Sequence, residues 1–328
     1  MEHTLRLGIA GYGNVGRGVE DAIIRNPDMK LEAIFTRRSP ETLDTRGLTE
    51  NICAVSKAEE FTEAIDVLIL CGGSATDLPR QGPHFAAMFN TVDSYDTHAK
   101  IPRYFESMDT VSRKAGRTSV IATGWDPGLF SVARVIEEAV LPQGKGYTFW
   151  GRGVSQGHSD AIRRIKGVKD ARQYTIPKQE AIDRVRSGET PELSARQKHI
   201  RDCYVVAEEG ADTERIRREI VNMPHYFADY ETRVTFISYE EMKKNHSRMP
   251  HGGFVLRSGT TGENNNQIIE FSLNLASNPE FTGSVLIAYA RAAWRLNHQG
   301  RIGAYTVFDI APGYLSIRTP QELREQML

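Results

Sequence analysis

The six residues Gly11-Tyr12-Gly13-Asn14-Val15-Gly16 constrain this chain most. They directly follow the apolar run Leu5-Arg6-Leu7-Gly8-Ile9-Ala10, and Val15, Val19, Ala22 and Ile23 then recur at helical spacing. A GxGxxG pattern between a strand and a helix is the phosphate-cradling turn of a dinucleotide-binding fold. Its first glycine permits the tight turn, its second lets a pyrophosphate approach the backbone, and its third lets helix and strand pack closely. A glycine-rich strand end without a ligand is the plainer alternative, and the strand-turn-helix context speaks against it.

A domain that selects a bare ribose carries an acid at the end of the second strand, about 20 residues beyond the glycines. Here that position reads Phe35-Thr36-Arg37-Arg38. Two guanidinium groups would clasp a 2′-phosphate through forked, charge-assisted hydrogen bonds, so the expected cofactor is NADP, with Thr36, Arg37 and Arg38 as contacts. Two exposed arginines at a strand end are the competing reading. A later apolar strand ends on Cys71-Gly72-Gly73-Ser74-Ala75-Thr76-Asp77. Gly73, Ser74, Ala75 and Thr76 suit the other half of a cofactor, and a simple loop in which Asp77 caps the next helix fits equally well.

The alternation of LEAIFT, DVLILC and TSVIAT with segments long enough for crossovers predicts an α/β fold, a Rossmann-type doubly wound parallel sheet over residues 1–123. Beyond Trp125-Asp126-Pro127-Gly128 the candidate strands YTFWG, RQYTI, CYVVA, RVTFI and IIEFSLNL are longer and more alternating. Residues 124–299 are therefore expected to form a second, α+β domain with a mostly antiparallel sheet. Phe281 to Gln299 reads as a helix and GAYTVFDI as one more strand, returning residues from about 300 to 328 to the first domain. The basic stretch RRIKGVKDAR reads as a solvated helix end. At 328 residues, two domains are the natural expectation. With 41 basic and 42 acidic side chains the net charge is −1, which gives no pull toward nucleic acid or an anionic membrane. No signal-like or membrane-spanning apolar run occurs, so a cytoplasmic protein is expected. Cys53, Cys71 and Cys203 show neither disulfide nor metal-ligand spacing, and no metal is expected.

Two further strand ends carry carboxylates, in Ser94-Tyr95-Asp96 and in Gly124-Trp125-Asp126-Pro127. Ligands of open parallel sheets lie beyond the carboxyl ends of the strands, which places Asp96 and Asp126 near a nicotinamide. Each alone is more often a turn or cap residue. The stretches GYGNVGRGVE, FTRR, LCGGSATDLP, VDSYDTH, TGWDPGLFS, TFWGRGVSQGHSDAIRRI, QYTIP, NMPHYF and MPHGG go further. Through them the chain resembles, over essentially its whole length, the meso-diaminopimelate dehydrogenases, NADPH-dependent D-amino acid dehydrogenases of bacterial lysine biosynthesis.

The resemblance implies reversible oxidative deamination of meso-2,6-diaminopimelate at its D-configured carbon, giving L-2-amino-6-oxopimelate, which cyclises to tetrahydrodipicolinate, and ammonia. It assigns Asp96 and Asp126 to the reacting amine as catalytic carboxylates. Trp125, Trp150, Gln156 and Gly157 become substrate contacts, and Thr175, Arg201, His251 and Asn278 the receptor for the distal L-amino acid end. Gly11 to Gly16, Ser94, Tyr95, Gly124, Trp125 and Pro127 become cofactor contacts, residues 124–299 the substrate-binding and dimerisation domain, and the protein a homodimer through it. An arginine suits the receptor because its planar fork holds a carboxylate in one orientation. From its residues alone, Trp150 reads as ordinary core and His251 as a structural histidine in the MPHGG turn. His158 is implied only as a neighbour of the site. Arg152 departs from the pattern beside Trp150. The Trp125–Gly128 step between two domains suggests closure over substrate. Two other activities remain open: a broader NADP-dependent D-amino acid dehydrogenase, and a non-catalytic NADP-binding sensor on the same fold.

Overall fold

The computed structural model describes residues 4–263 and 265–328. Two compact units emerge: the chain up to Val132 together with Pro279–Leu328, and Ala133–Asn278.

The first unit begins with β1 (Leu5–Ala10), α1 (Asn14–Ile23), β2 (Met29–Thr36), β3 (Ile52–Ala54), β4 (Val67–Leu70), α2 (Leu78–Ala86), β5 (Asn90–Asp93), α3 (Ile101–Ala115) and β6 (Thr118–Val120). It runs into α4 (Leu129–Val140), where the second unit takes over. The second unit comprises β7 (Gly144–Trp150), β8 (Gly153–Val154), α5 (Gln156–Arg163), β9 (Val168–Pro177), α6 (Gln179–Arg186), α7 (Ala195–Lys198), β10 (His199–Ala207), α8 (Thr213–Val221), β11 (Glu231–Phe236), α9 (Tyr239–Asn245), β12 (His251–Thr261) and β13 (Asn265–Leu275). From α10 (Asn278–His298) the chain returns through β14 (Gly303–Tyr305).

The first sheet has seven strands in the order β14-β6-β5-β4-β1-β2-β3, all parallel. Its central strands are buried along nearly their whole length, as a sheet covered by helices on both faces requires. The chain moves to one side of β1 through β2 and β3 and to the other through β4, β5 and β6. The point of reversal lies between β1 and β4, where ligands of such folds bind. Val19, Ala22 and Ile23 bury the inner face of α1. The 21-residue α10 joins the same core through Val285, Leu286, Tyr289, Ala290, Ala293 and Leu296. The contacts therefore group residues 279–299 with the first unit rather than with residues 133–278. Buried Arg291 fastens the helix by a forked pair to Asp28 (2.7 and 2.9 Å).

In the second unit the strands divide into two sheets rather than one. The order β11-β10-β9-β8 is antiparallel except for the parallel β10–β11 pair, and β13-β12-β7 is wholly antiparallel. Ile162, Ala171, Cys203, Val205, Ile216 and Phe227 fill the core of the first, Tyr147, Phe149, Ile182, Val185 and Leu256 that of the second. MPHGG is not a free-standing turn. His251 opens the eleven-residue β12, and a side chain on Gly252 or Gly253 would strike the carbonyl of Leu273 or Phe149 on the flanking strands. Two glycines are what a central strand squeezed this closely requires. The basic stretch ends α5 and begins β9, with Arg163 pairing to Asp160 and Asp170.

Candidate functional site

In the first unit the ends of β1 and β4 meet. Gly11 has φ +94° and donates its N–H to Phe35 O (2.8 Å), and a Cβ there would lie 3.1 Å from the backbone of Cys71. A Cβ on Gly16 would run into the Gly11 carbonyl. On Gly13 it would meet nothing within 4 Å. Two of the three glycines are thus demanded by the fold. The third leaves open space before the first turn of α1, which fits a pyrophosphate held by backbone N–H groups. Cys71 is half-buried, and desolvation pushes its thiol up to about 12, so it stays protonated.

At the end of β2 the Thr36 hydroxyl accepts the Arg38 N–H (3.0 Å), and the Arg38 guanidinium donates to the Tyr12 carbonyl. Arg37 is forked onto Asp77 (2.9 Å twice). Asp77 does not cap α2 with its side chain. Its Oδ2 accepts the Gly73 N–H instead (3.0 Å), tying the Gly73–Thr76 turn to the strand end that carries both arginines. Tyr12 hydrogen-bonds the buried Glu20 carboxylate; burial, then Glu20, pushes its phenol pKa up. The residues present fit a 2′-phosphorylated dinucleotide: an open glycine at a helix N-terminus and two cations where a ribose would lie.

Asp96 is exposed and takes its place through its N–H, which donates to Ser74 Oγ (2.9 Å); Ser74 also hydrogen-bonds Thr97 (3.2 Å). Asp126 lies half-buried in the turn before α4, beside Trp125, whose indole packs edge-on to Phe130 (5.3 Å). One residue beyond the expected set is Asp93, the last of β5 and fully buried, which hydrogen-bonds the backbone of both turns.

In the second unit Arg201 and Thr175 stand directly opposite on β10 and β9, and Gly153 continues the row on β8. A Cβ on Gly153 would touch the His251 ring (2.6 Å to Nδ1), so Thr175, Arg201 and His251 share one neighbourhood. Met249 gathers two more: its carbonyl accepts the Asn278 N–H (2.9 Å) and its sulfur the Gln156 amide (3.5 Å). Gly157 stands beside Gln156 in the first turn of α5, and a Cβ there would meet nothing within 4 Å. Arg201 is only 7% exposed. Its guanidinium donates to Thr175 Oγ1 and lies over the Tyr230 ring (3.9 Å), while its Nε has no partner. Among the described residues no carboxylate pairs with it. A buried cation in this state is costly and calls for an anion from outside the chain.

Trp150 donates its backbone N–H to His199 Nε2 (2.9 Å), and the two rings stack at 5.5 Å. Burial first, then Arg201 and Lys198, pulls the His199 pKa down to about 3. It is therefore a neutral acceptor, with its proton on Nδ1. His158, bonded to Ser155 Oγ (2.7 Å), falls to about 4 through burial and then Arg201. It is neutral at physiological pH and close to the receptor cation. Arg152 sits over Tyr174, which neighbours Thr175 on β9 and so faces the opposite side of the sheet. Its charge is directed away from the Thr175–Arg201 row.

Residues 124–277 match the family model described as the diaminopimelic acid dehydrogenase C-terminal domain. A meso-diaminopimelate D-dehydrogenase of Ureibacillus thermosphaericus is 60% identical over 324 residues, covering 99% of both chains. The chain belongs to the meso-diaminopimelate D-dehydrogenase family. Its fold agrees with that assignment. The diaminopimelate dehydrogenase of C. glutamicum, solved in complex with diaminopimelate, superposes with a TM-score of 0.93 at 46% identity and 99% coverage of each chain. An engineered D-amino acid dehydrogenase bound to NADP+ gives 0.88 at 44% identity, over 99% of this chain and 100% of its own. Among the described residues of this family member, no helix is long and apolar enough to cross a membrane.

Proposed function

We propose that the chain catalyses the NADP-dependent, reversible oxidative deamination of meso-2,6-diaminopimelate at its D-centre. Diaminopimelate, NADP+ and water give L-2-amino-6-oxopimelate, ammonium, NADPH and a proton. The nicotinamide, when bound, accepts the hydride from the D-carbon. The chain's own residues bind and orient. Gly11 to Gly16 and Gly73 to Thr76 hold the dinucleotide, with Ser94, Tyr95, Gly124, Trp125 and Pro127 as further contacts. Arg37 and Arg38 take the 2′-phosphate. Asp96 and Asp126 accept hydrogen bonds from the reacting ammonium and take up its protons as the imine forms and water adds. Trp150, Gln156 and Gly157 bind the diaminopimelate chain, and Thr175, Arg201, His251 and Asn278 hold its distal L-amino acid end.

The observation that carries this reading is the buried Arg201 guanidinium, with Thr175 bonded to it and an Nε without a partner. A simple D-amino acid has no second carboxylate to satisfy it, and a site with an unpaired buried polar group penalises substrates that lack the matching one. That favours the two-ended substrate over a broad D-amino acid dehydrogenase, and a dehydrogenase over a nucleotide sensor. The test is NADPH formation with the meso, L,L and D,D isomers and with D-alanine. Specificity constants should place the meso isomer first and D-alanine at least about thirtyfold lower, since an unpaired charge costs about 2–5 kcal/mol. Equal turnover of D-alanine overturns the narrow reading, and no NADPH from any substrate with bound cofactor favours the sensor. The protein is further proposed to be a cytoplasmic homodimer. Supporting the dimer, α4 exposes Val135, Ile136 and Val140, and the edge strand β13 exposes Ile268 and Phe271, large apolar side chains that a second copy would cover.

A further inference from the structure

Asp93 ends β5 with 0% exposure, a buried carboxylate that takes no part in the reaction as proposed. Its Oδ1 accepts two backbone N–H groups, Tyr95 (3.0 Å) in the turn that leads to Asp96, and Ala122 (3.1 Å) in the turn that leads to Asp126. Its carbonyl accepts a third, from Thr123 (2.8 Å). Oδ2 accepts the Tyr104 hydroxyl (2.7 Å) from α3, and the Tyr104 ring stacks on Tyr95 at 4.2 Å. Ala122 has φ +54°, a left-handed conformation that a non-glycine residue keeps only where its surroundings hold it. Beyond the one main-chain bond from Thr123, no ladder registers these two turns against each other. Here a single side-chain oxygen accepts an N–H from each of them.

We infer that Asp93 is a positioning residue for the reaction, the clasp that sets the Asp96 turn and the Asp126 turn at a fixed separation. The inference rests on the proposed roles of Asp96 and Asp126. What the clasp needs is an acceptor at Oδ1 rather than a charge. In Asp93→Asn the amide oxygen still accepts both N–H groups, and the amide nitrogen faces the Tyr104 oxygen. Asp93→Val fills the space and accepts nothing.

The experiment compares these variants by steady-state kinetics with meso-diaminopimelate and NADP, and by hydrogen exchange in the holoenzyme. Asp93→Val should lower kcat per folded molecule about a hundredfold, the usual consequence of displacing reacting groups by about 1 Å. The KM for diaminopimelate should change less than about threefold, because the distal receptor is untouched. Asp93→Asn should restore kcat to within about threefold. Exchange should rise together in the 94–97 and 121–126 segments of Asp93→Val and remain unchanged in residues 11–18. Asp93→Ser serves where Asp93→Val does not fold. A kcat per folded molecule equal to wild type, or exchange released in one turn only, overturns the inference. If wild type itself forms no NADPH from diaminopimelate, the proposed function falls, and the exchange data alone decide whether Asp93 joins the two turns.

Discussion

Arg201 sets function against stability. Its guanidinium is buried with no carboxylate among the described residues paired to it, and replacing a buried charge by an apolar side chain of similar length is often neutral or stabilising. Arg201→Met should therefore melt no lower than wild type while losing at least about thirtyfold in kcat/KM for diaminopimelate, the lower end of what removing one partner of a buried charge pair costs. Calorimetry and initial rates check the two halves. A loss of both would make Arg201 a core residue. Arg37 and Arg38 act differently, at the surface of the nucleotide turn. Arg37→Asp with Arg38→Ser should abolish the preference for NADP over NAD, read as the ratio of their specificity constants; an unchanged ratio removes the arginines from the 2′-phosphate site. These residues were singled out by the sequence because their chemistry is rare in their position. His199 and Asp93 were not. A histidine or aspartate at a strand end has many ordinary uses, and only tertiary packing shows that one accepts the Trp150 N–H and the other joins two turns.

The strand-turn-helix element separates a glycine needed by the fold from one beside open space. Gly16→Ala would press a methyl against the Gly11 carbonyl, whereas Gly13→Ala meets only open space. Gly16→Ala should lower the Tm, and Gly13→Ala should leave it unchanged while weakening NADP at least tenfold by fluorescence titration. Full affinity in Gly13→Ala would mean that no phosphate approaches that backbone. The β5 end predicts a pH effect. Burial pushes the Asp93 pKa up to about 6, from 3.8, against its hydrogen bonds to Tyr95, Tyr104 and Ala122. A carboxylate whose pKa is raised on folding binds its proton more tightly in the folded state, so its penalty is absent below about pH 4 and complete above about pH 6. Asp93→Asn, which has no charge to bury, should gain stability relative to wild type between pH 4 and pH 7. The gain is on the order of 3 kcal/mol by urea denaturation; a constant difference across that range would mean that Asp93 does not titrate there. Element identity was legible where periodicity is clean, as in β1, α1 and α10. It failed at MPHGG, because two glycines signal a turn in isolation and a crowded central strand in context.

At the scale of the molecule, the exposed apolar residues of α4 and β13 should become buried in a dimer. Ile136→Glu with Phe271→Glu should sediment as a monomer where wild type sediments as a dimer; dimers from both would place the interface elsewhere. The two-part organisation was legible from the change of strand texture near residue 124, but the grouping of α10 was not. Its burial against β1 and α1 depends on a chain reversal that no local pattern encodes. The account as a whole turns on which hydrogen moves. With meso-diaminopimelate deuterated only at its D-carbon, mass spectrometry of the nucleotide after turnover should find the deuterium in NADPH. Label lost to solvent, or transferred only when the L-carbon carries it, would contradict the account.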